Sequence, residues 1–237
     1  DSKSSYLICS GLHGVGLVAL NALCSLYIIE IYRDGKHAKY VFENAKLKEK
    51  RIEPFKGEAP FSTKIQFKPD KKIFESLVPD TDRLRKRLAV ASVELKGSKL
   101  VLNIDNNKEI FSLDSVGYFN QECLNDSDSE TTKLIDIFVE DGIESLEVKF
   151  CYSLNGTIAP RILSSVNLLP VESGGTHVNT FLEIIKELFV SKAKKVGLKF
   201  QPYDALCGLR AYLTLKLQKP EFSGQTKDKL INRKDYL

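Results

Sequence analysis

The sequence predicts a mixed α and β chain in two domains, and three observations carry that expectation. Strand-like runs alternate with helical apolar periodicity along its whole length. At 237 residues it has room for one large core or two modest ones. A polar, acidic stretch from Asn120 to Thr132, N-Q-E-C-L-N-D-S-D-S-E-T-T, interrupts the periodicity near the middle. A boundary is expected there, giving domains 1–118 and 119–237.

The elements follow in order. Gly11 to Gly16 reads G-L-H-G-V-G and runs into Val15 to Leu26, an apolar stretch with helical spacing and no Pro. Tyr27 to Tyr32 and Ala38 to Phe42 are strand-like around Asp34-Gly35-Lys36, a turn sequence that favours a hairpin. Lys64 to Phe67 alternates in the same way and ends at Pro69. From Asp80 the pattern turns helical, capped by Asp80 or Thr81, with Leu84, Leu88, Val90 and Val93 as its buried side. Leu100 to Ile104 and Glu109 to Leu113 form a second hairpin about Asn106-Asn107.

Beyond the polar stretch, Leu134 to Val139 and Ser145 to Tyr152 are strands joined near Asp141-Gly142, and Ile162 to Leu168 is a third. Thr176 is placed to cap a helix whose apolar face is Val178, Phe181, Leu182, Ile185, Leu188 and Phe189. That helix ends in a basic run, Lys192 to Lys195, which complements the helix dipole. Leu209 to Leu217 is a further strand.

Composition excludes the extremes. With 43% hydrophobic and 28% charged residues the chain is neither disordered nor membrane-embedded in character. Its longest apolar run, Val15 to Ile29, is broken by Asn21 and Ser25 and is too short to span a bilayer. A formal charge of +4 is too mild to separate a nucleotide enzyme from a weak DNA contactor. Five cysteines without C-x-x-C spacing argue against zinc and a disulfide framework, so a reducing cytoplasm is the simplest setting. No Met occurs, and no signal peptide precedes the glycine motif, which reads as a fragment beginning inside a longer protein.

The chemistry-bearing strings lie at the two ends. Glycines at 11, 14 and 16 let consecutive backbone N–H groups face one anion, and the helix behind them adds orphan donors and a positive dipole end. The same pattern also serves as a plain tight turn. Gly224 to Leu230 reads G-Q-T-K-D-K-L, and Gly174 to Val178 reads G-G-T-H-V. Lys227 offers a full positive charge and Gln225 a neutral donor, although a loop lysine is equally an ordinary exposed side chain.

Taken together and in this order, the three strings resemble the ATPase region of the B-type subunits of bacterial type IIA topoisomerases, DNA gyrase and topoisomerase IV. The resemblance implies that 1–118 is the C-terminal part of a GHKL (Bergerat) ATPase domain, an α/β sandwich, including its glycine-rich ATP lid. It implies that 119–237 is a transducer domain, an α+β unit like ribosomal protein S5. ATP would be held by Tyr6, the lid residues Gly11, Leu12, His13, Gly14, Val15 and Gly16, and Thr63. Arg33 would lie at the rim of the adenine pocket. Gln225 and Lys227 would reach the γ-phosphate from the second domain. The Ser165–Pro170 and Gly174–Asn179 segments look closer to topoisomerase IV than to gyrase.

The same resemblance implies Mg²⁺, double-stranded DNA, an A-type partner subunit and homodimerisation through the ATPase domains, with no membrane. The sequence also departs from the family pattern. Cys9-Ser10-Gly11 stands where Ser-Gly-Gly is usual, and Ser62 stands where a Gly precedes the adenine-site Thr. The family's general-base Glu, Mg²⁺-binding Asn and adenine-reading Asp have no counterpart here, so this stretch alone is expected to be inactive. A non-catalytic module making subunit or DNA contacts is the competing reading.

Overall fold

Asp34 and Gly35 both take left-handed backbone conformations, with φ of 51° and 69°, and reverse the chain in two residues. In the computed structural model, which describes residues 15–95, 97–155 and 158–233, this turn joins β1 (Cys24–Arg33) to β2 (Lys36–Glu43), with Arg33 opposite Lys36. Asn44 and Ala45 turn the chain again, at φ of 49° and 60°, into β3 (Lys46–Pro54). Two left-handed residues match the natural twist of a hairpin. With β4 (Thr63–Pro69), these strands form an antiparallel sheet in the order β3-β2-β1-β4.

Strand β3 lies outside the sequence expectation, because K-L-K-E-K-R-I-E-P has no apolar alternation. It is an edge strand, where charges are favoured because they discourage pairing with another chain. The helix ahead of β1 is shorter than its apolar run suggests: α1 spans Val15–Ala22, and Cys24 already belongs to the strand. Val15, Leu17 and Val18 are exposed on it. Among the described residues of this unit, 15–80, only Cys24 and Tyr27 are buried.

The described residues 81–233 form the second compact unit, which begins after Asp80. The reason is packing. Helix α2 (Thr81–Glu94) and helix α3 (Ser115–Glu122), which the sequence pattern does not announce, share one apolar cluster with the following sheet through Val90, Val93, Phe119, Cys123, Cys151 and Tyr212. Asp114 caps α3 by accepting from the Gly117 amide at 2.6 Å. Leu84, expected inside, is exposed, while Ala89 and Ser92 are buried in its place. Between α2 and α3, β5 (Leu100–Ile104) and β6 (Asn107–Phe111) form the second hairpin, turning at Asp105-Asn106, one residue earlier than expected.

The second unit is built on a five-stranded sheet in the order β10-β9-β11-β8-β7. Its strands are β7 (Ile135–Asp141), β8 (Glu144–Tyr152), β9 (Arg161–Val166), β10 (Leu169–Pro170) and β11 (Leu209–Lys216). Helix α4 (Thr176–Lys195) connects β9 to β11, which run parallel as such a crossover requires. A short 3₁₀ turn, Pro202–Leu206, leads into β11.

Strand β11 alternates L-R-A-Y-L-T-L-K, a pattern that normally marks a half-exposed strand, yet it is buried on both faces. Leu209, Ala211 and Leu213 pack under α4 with Val148 and Phe150. On the other face Arg210 is fully buried and gives two 2.8 Å hydrogen bonds to Asp128, from Nε to Oδ2 and from Nη2 to Oδ1. Asp128 belongs to the polar stretch in which a domain boundary is expected. It is drawn into the unit, and the guanidinium of Arg210 holds its carboxyl well below the usual carboxylate range.

A depressed carboxylate pKa stabilises the folded state above the ordinary aspartate value near pH 4 and loses that contribution as pH falls through the lower folded value. Asp128→Ala is expected to cost about 3 kcal/mol or more by leaving a buried, unpaired guanidinium. The paired change Arg210→Met with Asp128→Leu should restore most of the loss. Urea unfolding followed by near-ultraviolet circular dichroism of the tyrosines measures both.

Candidate functional site

The G-G-T-H and Q-T-K strings, separated by about fifty residues of sequence, meet in the second unit. Gly175 and Leu230 form a parallel β-bridge. The Leu230 amide donates to the Gly174 carbonyl at 3.0 Å, and the Thr176 amide donates to the Leu230 carbonyl at 3.1 Å. One step earlier the Ser173 amide donates to the Asp228 carbonyl at 2.8 Å. Gly175 has φ of 134°, and a Cβ there would collide with the Leu230 carbonyl oxygen and stand 2.7 Å from the Leu230 nitrogen. Only glycine permits this approach.

The Q-T-K loop is itself a closed hairpin. Phe222 pairs with Leu230, and the Ser223 amide donates to the Lys229 carbonyl at 3.0 Å. At its tip the Lys227 amide donates to the Gly224 carbonyl at 3.1 Å, with Lys227 in the left-handed region at φ of 61°. Asn232 fastens the base, accepting from the Glu221 amide and donating to the Lys219 carbonyl. Leu230, fully buried, seats the whole loop in a cluster with Val166, Val171, Leu215 and Leu217.

Gln225 is exposed at the tip and Lys227 is half-buried beside it. A lysine in left-handed backbone geometry is uncommon, since glycine or asparagine meets that requirement with less strain. Thr176, expected as the cap of α4, is its first helical residue; Gly175 is the cap. The Thr176 hydroxyl donates to the Leu230 carbonyl at 3.4 Å, tying the helix start to the loop.

His177 lies beneath this junction at 5% exposure. Burial pushes its pKa down to about 4, so the ring is neutral at pH 7. No sequence signal distinguished it from a solvated histidine.

A second buried network joins α2 to the same sheet. Ser165 donates to Glu94 Oε1 at 2.9 Å and lies 3.1 Å from the Tyr212 hydroxyl, while the Leu168 amide donates to Glu94 Oε2 at 3.0 Å. Burial raises the Glu94 pKa, and the hydrogen bonds from Ser165 and Leu168 oppose that rise. The sequence offered no reason to single out Glu94.

Of the remaining expected site residues, the described ones, Val15, Gly16, Arg33 and Thr63, fall in the first unit. Tyr6, Gly11, Leu12, His13 and Gly14 lie outside the described residues. Val15 and Gly16 open α1, both exposed. Thr63 begins β4 opposite Ile31 and is exposed. That is the end of the β1–β4 pair remote from Cys24 and Pro69, where α1 joins the sheet. Arg33 is exposed at the hairpin turn, 3.5 Å from Asp34. Among the described residues no group of His, Cys, Asp and Glu is arranged to hold a metal ion.

Gly175→Ala is expected to destabilise the second unit by at least about 2 kcal/mol through backbone collision and strain. Hydrogen exchange should show the amides of Thr176 and Leu230 losing protection before those of β11. A second outcome concerns His177: a neutral buried imidazole contributes stability above its unfolded pKa of about 6.5 that is lost as pH falls toward 4. Its ring resonances should therefore stay unmoved between pH 8 and about 5 in a nuclear magnetic resonance titration.

Comparison with known proteins supplies the family. The family model described as DNA gyrase B matches residues 114–235, just over half of the chain. The chain is 35% identical to the B-type subunit of DNA gyrase from Thermus thermophilus, over 97% of its own length and 38% of that protein's. It is 30% identical to the B-type subunit of DNA topoisomerase 4 from Francisella tularensis, over 98% and 38% respectively. It thus spans about two fifths of the length of these curated relatives.

Among solved structures, the 43K ATPase domain of Thermus thermophilus gyrase B, in complex with an aminocoumarin, matches 93% of this chain and 62% of its own, with a TM-score of 0.67 and 31% identity. The topoisomerase IV ATP-binding domain of Francisella tularensis matches 94% and 63%, with a TM-score of 0.72 and 26% identity. The mixed α/β architecture is accordingly that of a partial ATPase fold. With more than half of its residues matched by the family model, the chain belongs to the DNA gyrase B family.

Proposed function

We propose that this chain is the lid and transducer portion of the ATP-hydrolysing region of a type IIA DNA topoisomerase, in its B-type subunit. The observation that carries the reading is the fastening of the Q-T-K hairpin to the start of α4 through Gly175 and Leu230. A loop bound in this way cannot shift without acting on a 20-residue helix and on the sheet beneath it.

In this reading the glycines between Gly11 and Gly16 present backbone N–H groups to the phosphates, with His13 beside them. Tyr6 and Thr63 contact the adenosine. Lys227 supplies a positive charge, and Gln225 a neutral donor, to the terminal phosphate. That phosphate is the group by which ATP and ADP differ, so contacts to it bias two conformations of the subunit. The strain of a left-handed Lys227 supports a functional demand for lysine at that position. Residues 1–118 would then be the ATPase part and 119–237 the transducer, of the S5 type.

The parent protein would bind ATP, dimerise through its ATPase domains, close around a DNA segment and pass it through a duplex cut by an A-type partner, in the cytoplasm. Mg²⁺ belongs to the family expectation; among the described residues no group of His, Cys, Asp and Glu is arranged to hold it. A non-catalytic subunit- or DNA-contact module is the alternative. Titration calorimetry of the intact parent with a non-hydrolysable ATP analogue tests it: no binding heat with an intact fold would remove the ATPase reading.

Lys227→Ala in the full-length parent is expected to lower ATP turnover at least tenfold, about 1.4 kcal/mol of barrier, leaving nucleotide binding weaker but detectable. Lys227→Asn should lower turnover equally while keeping the hairpin folded, because asparagine tolerates the left-handed backbone. Unchanged turnover in either variant refutes the role of Lys227. Gly14→Val should abolish nucleotide binding by filling the cradle.

A further inference from the structure

One face of the second unit's sheet is only partly covered. Helix α4 lies over β8 and β11, and β7 continues past it as an edge strand whose Ile137 remains 44% exposed. Between α4 and this part of the sheet is a cavity of about 260 Å³. Among the described residues its walls are aliphatic and aromatic except at His177 and Thr180, with no Asp, Glu, Lys or Arg.

Those two residues are unusual. Among the described residues neither Nδ1 nor Nε2 of the buried His177 ring has a hydrogen-bond partner, and the buried hydroxyl oxygen of Thr180, one helical turn further on, has none. Buried polar atoms are nearly always paired. Three such atoms lie on one side of this otherwise apolar cavity. At the mouth, Ile184 and Leu188 are 50% and 60% exposed, giving an apolar rim.

We propose that this cavity binds an uncharged, mostly apolar small molecule of about bicyclic aromatic size, whose single hydroxyl pairs with His177 and Thr180. A neutral imidazole offers one donor and one acceptor, so a hydroxyl can both give and receive a hydrogen bond there. A charged head group finds no counter-charge among the lining residues. Apolar walls with a few converging polar groups are the usual makeup of such sites. The cavity lies wholly within the second unit, and its occupancy does not depend on the nucleotide reading.

The test uses β-naphthol as the probe, with naphthalene and β-naphthoate as controls, on the methyl-labelled 237-residue chain. Nuclear magnetic resonance should show saturable shifts of the Ile137, Ile184 and Leu188 methyls and of the His177 ring. Naphthalene should bind about tenfold more weakly, the loss of one hydrogen-bonded pair to buried partners, and β-naphthoate should not bind. Thr180→Val should bring β-naphthol toward the affinity of naphthalene. Ile184→Trp, at a half-exposed position, should fill the mouth and weaken binding at least tenfold with circular dichroism unchanged. Absence of saturable shifts, equal affinity for β-naphthol and naphthalene, or undiminished binding to Ile184→Trp would each overturn the proposal.

Discussion

The contact between Gly175 and Leu230 organises the second unit of this molecule. Two backbones approach there more closely than any Cβ would allow, and the exchange of amides around them replaces a side-chain cap for α4. The Leu230 side chain closes the hydrophobic cluster beneath the end of the sheet. The same residue therefore starts a helix, closes a core and anchors a hairpin. In the proposed function that triple role is what converts a contact at the hairpin tip into movement of a larger body.

Around this contact, polar groups are buried in pairs and chains. Arg210 with Asp128, and Glu94 with Ser165 and Tyr212, fix segments distant in sequence to the sheet's second face. Lys149 does the same at β8, paired with Asp136 and Glu147; burial pulls its pKa down, and the two carboxylates outweigh that pull. Breaking such a pair leaves a charge without water or partner, whereas its net stabilisation when intact is modest. These networks are better understood as fixing register and segment identity. His177 and Thr180 differ because their polar atoms are buried without partners among the described residues.

Much of the local structure was legible. The Asp34-Gly35 hairpin, β4 and its Pro69 end, the α2 start, the β7–β8 pair and α4 all follow from turn chemistry and apolar period. The misses share a cause. Strand β3 is an edge whose charges are set by solvent, so it carries no period-2 apolar signal. The 120–132 stretch reads as polar punctuation because nothing local indicates that Asp128 will meet an arginine 82 positions later. Leu84 and Leu188 fit a helical stripe yet remain exposed, because a stripe says which face is apolar and not how far its partner surface extends.

The site divided along the same line. Residue types and order alone determined the glycine-rich string, the G-G-T-H string and the Q-T-K loop, since each depends on short-range backbone freedom and a charge within a few residues. They also determined the family to which the three together belong. Only the tertiary structure decided that two of those strings touch, that α2 packs with the second unit, and that His177 faces an apolar cavity. Such facts rest on contacts between segments tens of residues apart, whose pairing is settled by packing and by the cost of leaving buried polar groups alone.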